Sequence, residues 1–174
     1  MHLTTLFPLA LAAVASAHIQ ILYPPPRGPF IASQEPSFCD GFTNATSNRT
    51  LFPLNDGMIS FKTGHPLWTL GFIVSTKTEA SSFSDFNTSS GYQITVPFVE
   101  YTGSGQFCLP INLANSGISG IQEGANVTIQ AVFDGGDGSL YQVRISALHP
   151  HDGKRQTHLF CELHKTVRRH HAIG

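Results

Sequence analysis

Apolar and polar positions alternate along this chain in short runs. The cleanest is Asn126 to Phe133, where Val127, Ile129, Ala131 and Phe133 share one face, the period of a half-buried strand. Ile19–Tyr23, Met58–Lys62, Trp68–Ser75, Tyr92–Val99 and Gly105–Ile111 read as further strands from their β-branched and aromatic content. Leu140–Val143 begins the return from Asn126–Phe133, across the hairpin signal Asp134-Gly-Gly-Asp137-Gly138. Pro24–Pro29 stops the first strand, since proline cannot donate to a ladder. Phe30–Asn55 and residues 76–90 read as loop. No stretch sustains a helical period. Many short strands separated by Gly, Pro and Asn predict an all-β sandwich.

The opening segment differs. An apolar run, Leu6–Val14, precedes Ala15-Ser16-Ala17, the small-residue pattern behind which a signal peptidase cuts. Residues 1–17 are therefore expected to be a signal peptide, leaving His18 as the mature N-terminus. About 157 residues remain, enough for one domain with one core. A formal net charge of −1 gives no reason to expect nucleic acid or an anionic membrane surface as partner. No later run is long and apolar enough to span a bilayer. A secreted setting makes Cys39, Cys108 and Cys161 disulfide candidates, although three is an odd number to pair. Sequons at Asn44, Asn48, Asn87 and Asn126 fit the same setting and predict N-glycosylation.

From about Arg144 the character changes. Six of the nine histidines fall between His149 and His171, and six of the ten basic residues lie from Arg144 onward. The expected organisation is a sandwich over residues 18–142 and an atypical, basic, disordered tail over 143–174. A histidine-rich tract also binds metals; a non-native C-terminus explains the same composition.

Before that tail, the mature chain holds two histidines, His18 and His65. An N-terminal histidine offers an α-amine, with a pKa of about 8, and an imidazole, with a pKa of about 6.5, to one metal ion. His65 sits in the turn Thr63-Gly-His-Pro66, ahead of an apolar strand. One amine and two imidazoles make the nitrogen-rich, T-shaped set that suits copper(II). Asp137 is a candidate carboxylate ligand, although turn chemistry alone also accounts for an aspartate there. Asp40 and Asp56 are weaker candidates.

The mature start His18-Ile-Gln-Ile-Leu-Tyr-Pro-Pro-Pro-Arg27-Gly28 resembles a family of fungal secreted or cell-surface copper proteins, similar in fold to the lytic polysaccharide monooxygenases. The resemblance continues through Phe38–Phe42, Arg49–Leu54, His65–Thr69, Gln106–Pro110 and Gly135–Gln142. It implies an immunoglobulin- or fibronectin-like sandwich, and a histidine brace made by the His18 amine, the His18 imidazole and the His65 imidazole. It also implies a copper-bound aspartate, carried onto Asp137. The copper ion is the implied partner, with a membrane copper-uptake system as candidate recipient. The family pattern is lost after Gln142, where Tyr-Gln-Cys-Ala-Asp is expected and Val143-Arg144-Ile145 stands instead. Translation past an exon boundary is one explanation. Loss of the last strand would leave an open edge, and loss of the cysteine would leave Cys39 or Cys108 unpaired. Cys161 has no spacing that marks it as a substitute. The lipid-anchor signal of many members is not expected at Gly174.

The leading expectation is an extracellular copper(II)-binding protein of copper acquisition or homeostasis. The alternative is a copper-dependent polysaccharide monooxygenase, which uses the same brace. A single tryptophan, Trp68, sits in an apolar strand and reads as core, and a carboxylate on copper would fill a position an oxidant needs. Both points lean away from the enzyme. A third reading is a structural surface glycoprotein with His18 and His65 incidental.

Overall fold

Strand-forming residues in the order above build two sheets that face each other across one core. A computed structural model of the chain describes residues 18–44, 46–152, 161 and 165–166. The expected signal peptide and most of the expected tail lie outside the described residues. The strands are β1 (Ile19–Tyr23), β2 (Thr50–Asn55), β3 (Gly57–Thr63), β4 (Leu67–Ser75), β5 (Asn87–Thr88), β6 (Gly91–Tyr92), β7 (Ile94–Thr102), β8 (Gly105–Ile111), β9 (Asn126–Asp134), β10 (Ser139–Asp152) and β11 (Lys165–Thr166). One sheet runs β1-β3-β8-β11, the other β2-β10-β9-β4-β7, and β5-β6 form a small hairpin. The all-β sandwich expected from the alternation is the architecture observed. Only short 3-10 turns interrupt it among the described residues.

Ile19, Ile21, Phe61 and Phe107 from one sheet meet Leu70, Phe72, Val127, Ile129 and Phe133 from the other. Trp68 is buried as expected, 4.7 Å from the Tyr101 ring and donating from Nε1 to the Gly103 carbonyl at 2.8 Å. Of the other tyrosines, Tyr23 is buried and Tyr92 exposed.

Three elements depart from the expectations. Thr50–Asn55, expected to lie in a loop-rich stretch, forms β2, parallel to β10. Pro53 obscured it; at the sheet's edge a missing donor is tolerated. Second, the return strand does not fail after Gln142. β10 pairs with β9 as far as Ala147 and with β2 as far as Asp152, so residues 143–152 belong to the sandwich and the edge expected to open is covered. Arg144 hid this continuation by breaking the apolar alternation. It is buried nonetheless, donating to the carbonyls of Val143 (2.7 Å) and Ile21 (2.8 Å). Burial pushes its guanidinium down to about 9, against the opposing pull of Asp40.

Third, Cys108 and Cys161 form a disulfide, and Cys39 is the free, buried cysteine. β11 lies parallel to β8, with Thr166 opposite Cys108, and extends that sheet beyond the edge of β8. Met58, Cys108 and Cys161 pack together there.

Candidate metal centre

Strand register sets the site. Ile19 pairs with Thr63, so His18 lies opposite Gly64, one residue from His65. β9 pairs with β4 through Asp134 and Thr69, which sets the β9–β10 turn beside the turn carrying His65.

His65 is held from several sides. Its N–H donates to Thr63 Oγ1 at 3.2 Å, and its ring centroid lies 5.5 Å from that of Phe133. The ring also rests on Gly135, where an added Cβ would overlap the Cε1, Nδ1 and Nε2 atoms. The residue is 9% exposed. Its Nε2 is buried, takes no hydrogen bond, and lies 3.8 Å from Asp137 Oδ1. Asp137 is half-exposed in the Asp134–Gly138 turn, which positive-φ Gly136 and Gly138 allow. Asp134 Oδ1 closes the turn by accepting from the Gly136 N–H at 2.7 Å.

His18 sits at the head of β1 with its ring edge-on to Phe30, centroids 5.7 Å apart. Its Nδ1 lies 2.5 Å from Oε2 of Glu35, a fully buried carboxyl. Glu35 Oε1 accepts from the Ile19 N–H at 3.2 Å and from Gln142 Nε2 at 3.3 Å. Gln142 in turn accepts from the Ile21 N–H (2.9 Å) and donates to the Ile19 carbonyl (2.7 Å). Side chains of Glu35, Gln142 and Arg144 thus satisfy four main-chain groups of β1, the edge strand. Burial pushes Glu35 up to about 8; Asp40 and Asp137 push the same way, while the hydrogen bonds from Ile19 and Gln142 oppose. A cavity of about 470 Å³ opens beside His18, lined also by Gln20, Phe30, Lys62, Thr63 and Gln106.

Of the three residues expected to bind metal, the fold brings His65 and Asp137 together and sets His18 against Glu35. Among the described residues, no three His, Cys, Asp or Glu side chains close around one point. The donor chemistry nevertheless suits a cation. Among the described residues His65 Nε2 is a buried atom without a hydrogen bond, and such an atom carries a desolvation cost that a bound metal removes; Glu35 Oε2 is paired with His18 Nδ1.

Asp40 neighbours Arg144 and is pushed up to about 6 by burial, against Arg144's pull. Asp56 lies at the opposite end of β3 from His65, about 20 Å along a strand of that length. Neither is placed as a ligand. No local sequence signal marks Glu35, since Gln34-Glu35-Pro36 lies in an aperiodic loop; its link to Gln142 is purely tertiary. Asn44, Asn48, Asn87 and Asn126 are all exposed, as a glycan requires.

Comparison with known proteins follows the same chemistry. The family model described as copper acquisition factor BIM1-like matches residues 16–147. Copper acquisition factor BIM1 of Cryptococcus neoformans var. grubii is 36% identical over 135 residues, covering 76% of this chain and 60% of the relative. The var. neoformans protein of the same name gives the same identity and coverage. Lytic polysaccharide monooxygenase-like protein ham-7 of Neurospora crassa is 35% identical over 156 residues, covering 74% of this chain and 62% of that protein. The chain thus spans about three-fifths of the length of these curated relatives.

Proposed function

The chain belongs to the BIM1-like copper acquisition factor family, and on that premise we propose that it captures copper(II) outside the cell and hands it onward. In this reading the chain is secreted, residues 1–17 are removed, and His18 becomes the N-terminus. The His18 amine and imidazole and the His65 imidazole hold the copper ion as a brace, with Asp137 supplying a carboxylate. The copper-binding unit runs from His18 through β10. A membrane copper-uptake system is the recipient that fits this role.

The observation that carries the reading is His65 Nε2, buried and without a hydrogen bond, in a turn beside the residue that would start the mature chain. A buried imidazole nitrogen left unpaired is unfavourable unless something binds it. Copper is cargo here. The protein's own part is to present deprotonated nitrogens at fixed positions and to keep the His65 ring from turning, through Gly135 and Phe133.

Copper(II) titration of the protein beginning at His18, beside a control carrying one extra residue ahead of it, tests this reading. The expected result is one-to-one binding that weakens by more than about tenfold in the control and in His65→Ala. Affinity also falls with acid, because protons compete for the amine and imidazoles. Equal binding by all three proteins overturns the brace. Copper binding without release of oxidised oligosaccharides separates this role from polysaccharide oxidation, which the same ligands would serve.

A further inference from the structure

We propose that a glycan on Asn87 folds back onto the sandwich, its first N-acetylglucosamine stacking on Tyr92 and covering an aromatic pocket on the outer face of the larger sheet. The inference rests on the secreted setting of the reading above and is independent of the copper site. Asn87-Thr88-Ser89 is a sequon. Modification joins Asn87 Nδ2 to C1 of the sugar of an oligosaccharyl diphospholipid donor. The N–C1 bond forms, the C1–O bond to diphosphate breaks, the lipid diphosphate leaves with the bonding pair, and a base takes the amide proton. Asn87 is exposed, and its Oδ1 accepts from the Thr88 N–H at 3.0 Å, which leaves Nδ2 for the sugar.

The hairpin supplies the surface that receives it. Asn87 on β5 pairs directly with Tyr92 on β6. Side chains of a directly opposed antiparallel pair share one face, with Cβ atoms about 4.5–5.5 Å apart. A sugar on Asn87 therefore starts beside the Tyr92 ring, which is 53% exposed. Tyr92 also walls a cavity of about 200 Å³, together with Phe83, Phe98 and Tyr141 over Ile73 and Val132. The floor faces outward, because the neighbours Phe72, Val74, Ala131 and Phe133 all point into the core. Phe98 lies on Gly71, where an added Cβ would meet its ring at 2.6 Å, and Phe83 stands edge-on to Tyr141, centroids 4.7 Å apart. Tyr92, Ile94 and Phe98 are exposed together here, and a clustered apolar surface of this kind marks a face that something covers. A pyranose suits it. Its C–H face is weakly positive and meets the negative faces of the rings, while its hydroxyls stay in water or meet the tyrosine hydroxyls. Asn126, by contrast, is paired with Ala147, which offers no ring.

The test uses the full chain secreted from a glycosylating yeast, as parent, Asn87→Gln, Tyr92→Ala and Asn48→Gln, with every glycan trimmed enzymatically to one N-acetylglucosamine. Glycopeptide mass spectrometry reads occupancy. NMR reads the sugar ring protons, which move upfield over an aromatic face. The expected result is an occupied Asn87 in the parent, with upfield-shifted sugar protons and nuclear Overhauser contacts to Tyr92. Those signals persist in Asn48→Gln, vanish in Asn87→Gln, and return to free-sugar positions in Tyr92→Ala. Asn87→Gln also binds more of a hydrophobic dye than the parent. An unmodified Asn87 beside occupied Asn44, Asn48 or Asn126 overturns the proposal and leaves the secreted setting intact; a product bare at all four sites that retains residues 1–17 defeats both. Unshifted sugar protons on an occupied Asn87 also overturn it. So does a parent dimer that dissociates in Tyr92→Ala, which would seat a second copy on this face beside the edge strand β7. Should Tyr92→Ala not fold, the sugar contacts in the parent decide alone.

Discussion

Gly135→Ala isolates how His65 is held. Gly135 is not at positive φ, so alanine suits the backbone, but the new Cβ overlaps three atoms of the His65 ring. The ring cannot simply swing aside, because it is 9% exposed and packs on Phe133. Overpacking of this kind costs about 1–3 kcal/mol. At about 2–4 °C per kcal/mol for a domain of this size, the copper-free protein should melt measurably lower. The displaced imidazole should cost about 10–100-fold in copper affinity, the range seen when a ligand's support is removed. Gly57→Ala is the matched control. Its Cβ comes within 2.6 Å of the buried Phe52 ring, at the far end of β3 from His65. Both variants should lose stability in thermal melts, and only Gly135→Ala should lose copper affinity in titration calorimetry. Wild-type affinity in Gly135→Ala, or an equal loss in Gly57→Ala, would refute the reasoning that this contact fixes the ligand.

Two further predictions concern the scaffold. Asp85 is held well below the usual carboxylate range by hydrogen bonds from Lys77 Nζ and the Ser81 and Ser82 N–H groups. A depressed folded-state pKa adds stability that is present above the unfolded value of about 4 and is lost as pH falls through the folded one. Parent melting temperature should therefore drop more steeply than that of Asp85→Asn below about pH 4, and parallel curves would count against it. The second concerns the thiols. Burial pushes Cys39 up to about 12, so its thiol should resist alkylation in the folded protein and react only on unfolding. Cys161→Ser frees Cys108 and should cost about 2–5 kcal/mol in denaturant melts; a cost near zero would mean that the Cys108–Cys161 bridge does not brace the fold.

Local chemistry decided much of this protein in advance. The period-two pattern of Val127, Ile129, Ala131 and Phe133 specifies a strand with one buried face, and β9 has it. Gly and Asp at 134–138 specify a hairpin, and β9 and β10 join there. The candidacy of His18 and of the turn residue His65 comes from the chain itself, because they are the only histidines between residue 17 and the tail. Such features depend on neighbours a few residues away, which the chain displays directly.

What tertiary structure alone decided depends on partners far along the chain. β2 exists because β10 lies beside it, although Pro53 argues against a strand. β10 continues beyond Gln142 because carbonyls of Val143 and Ile21 accept from Arg144, a charge that looks out of place in the linear pattern. Cys108 meets Cys161 because β11 returns to β8, 53 residues separating the two cysteines. Glu35 reaches His18 only because Gln142, more than a hundred residues away in sequence, clamps both the carboxylate and β1. A buried polar group takes its meaning from whichever group satisfies it, and in a sandwich that group comes from another strand, brought close only by folding.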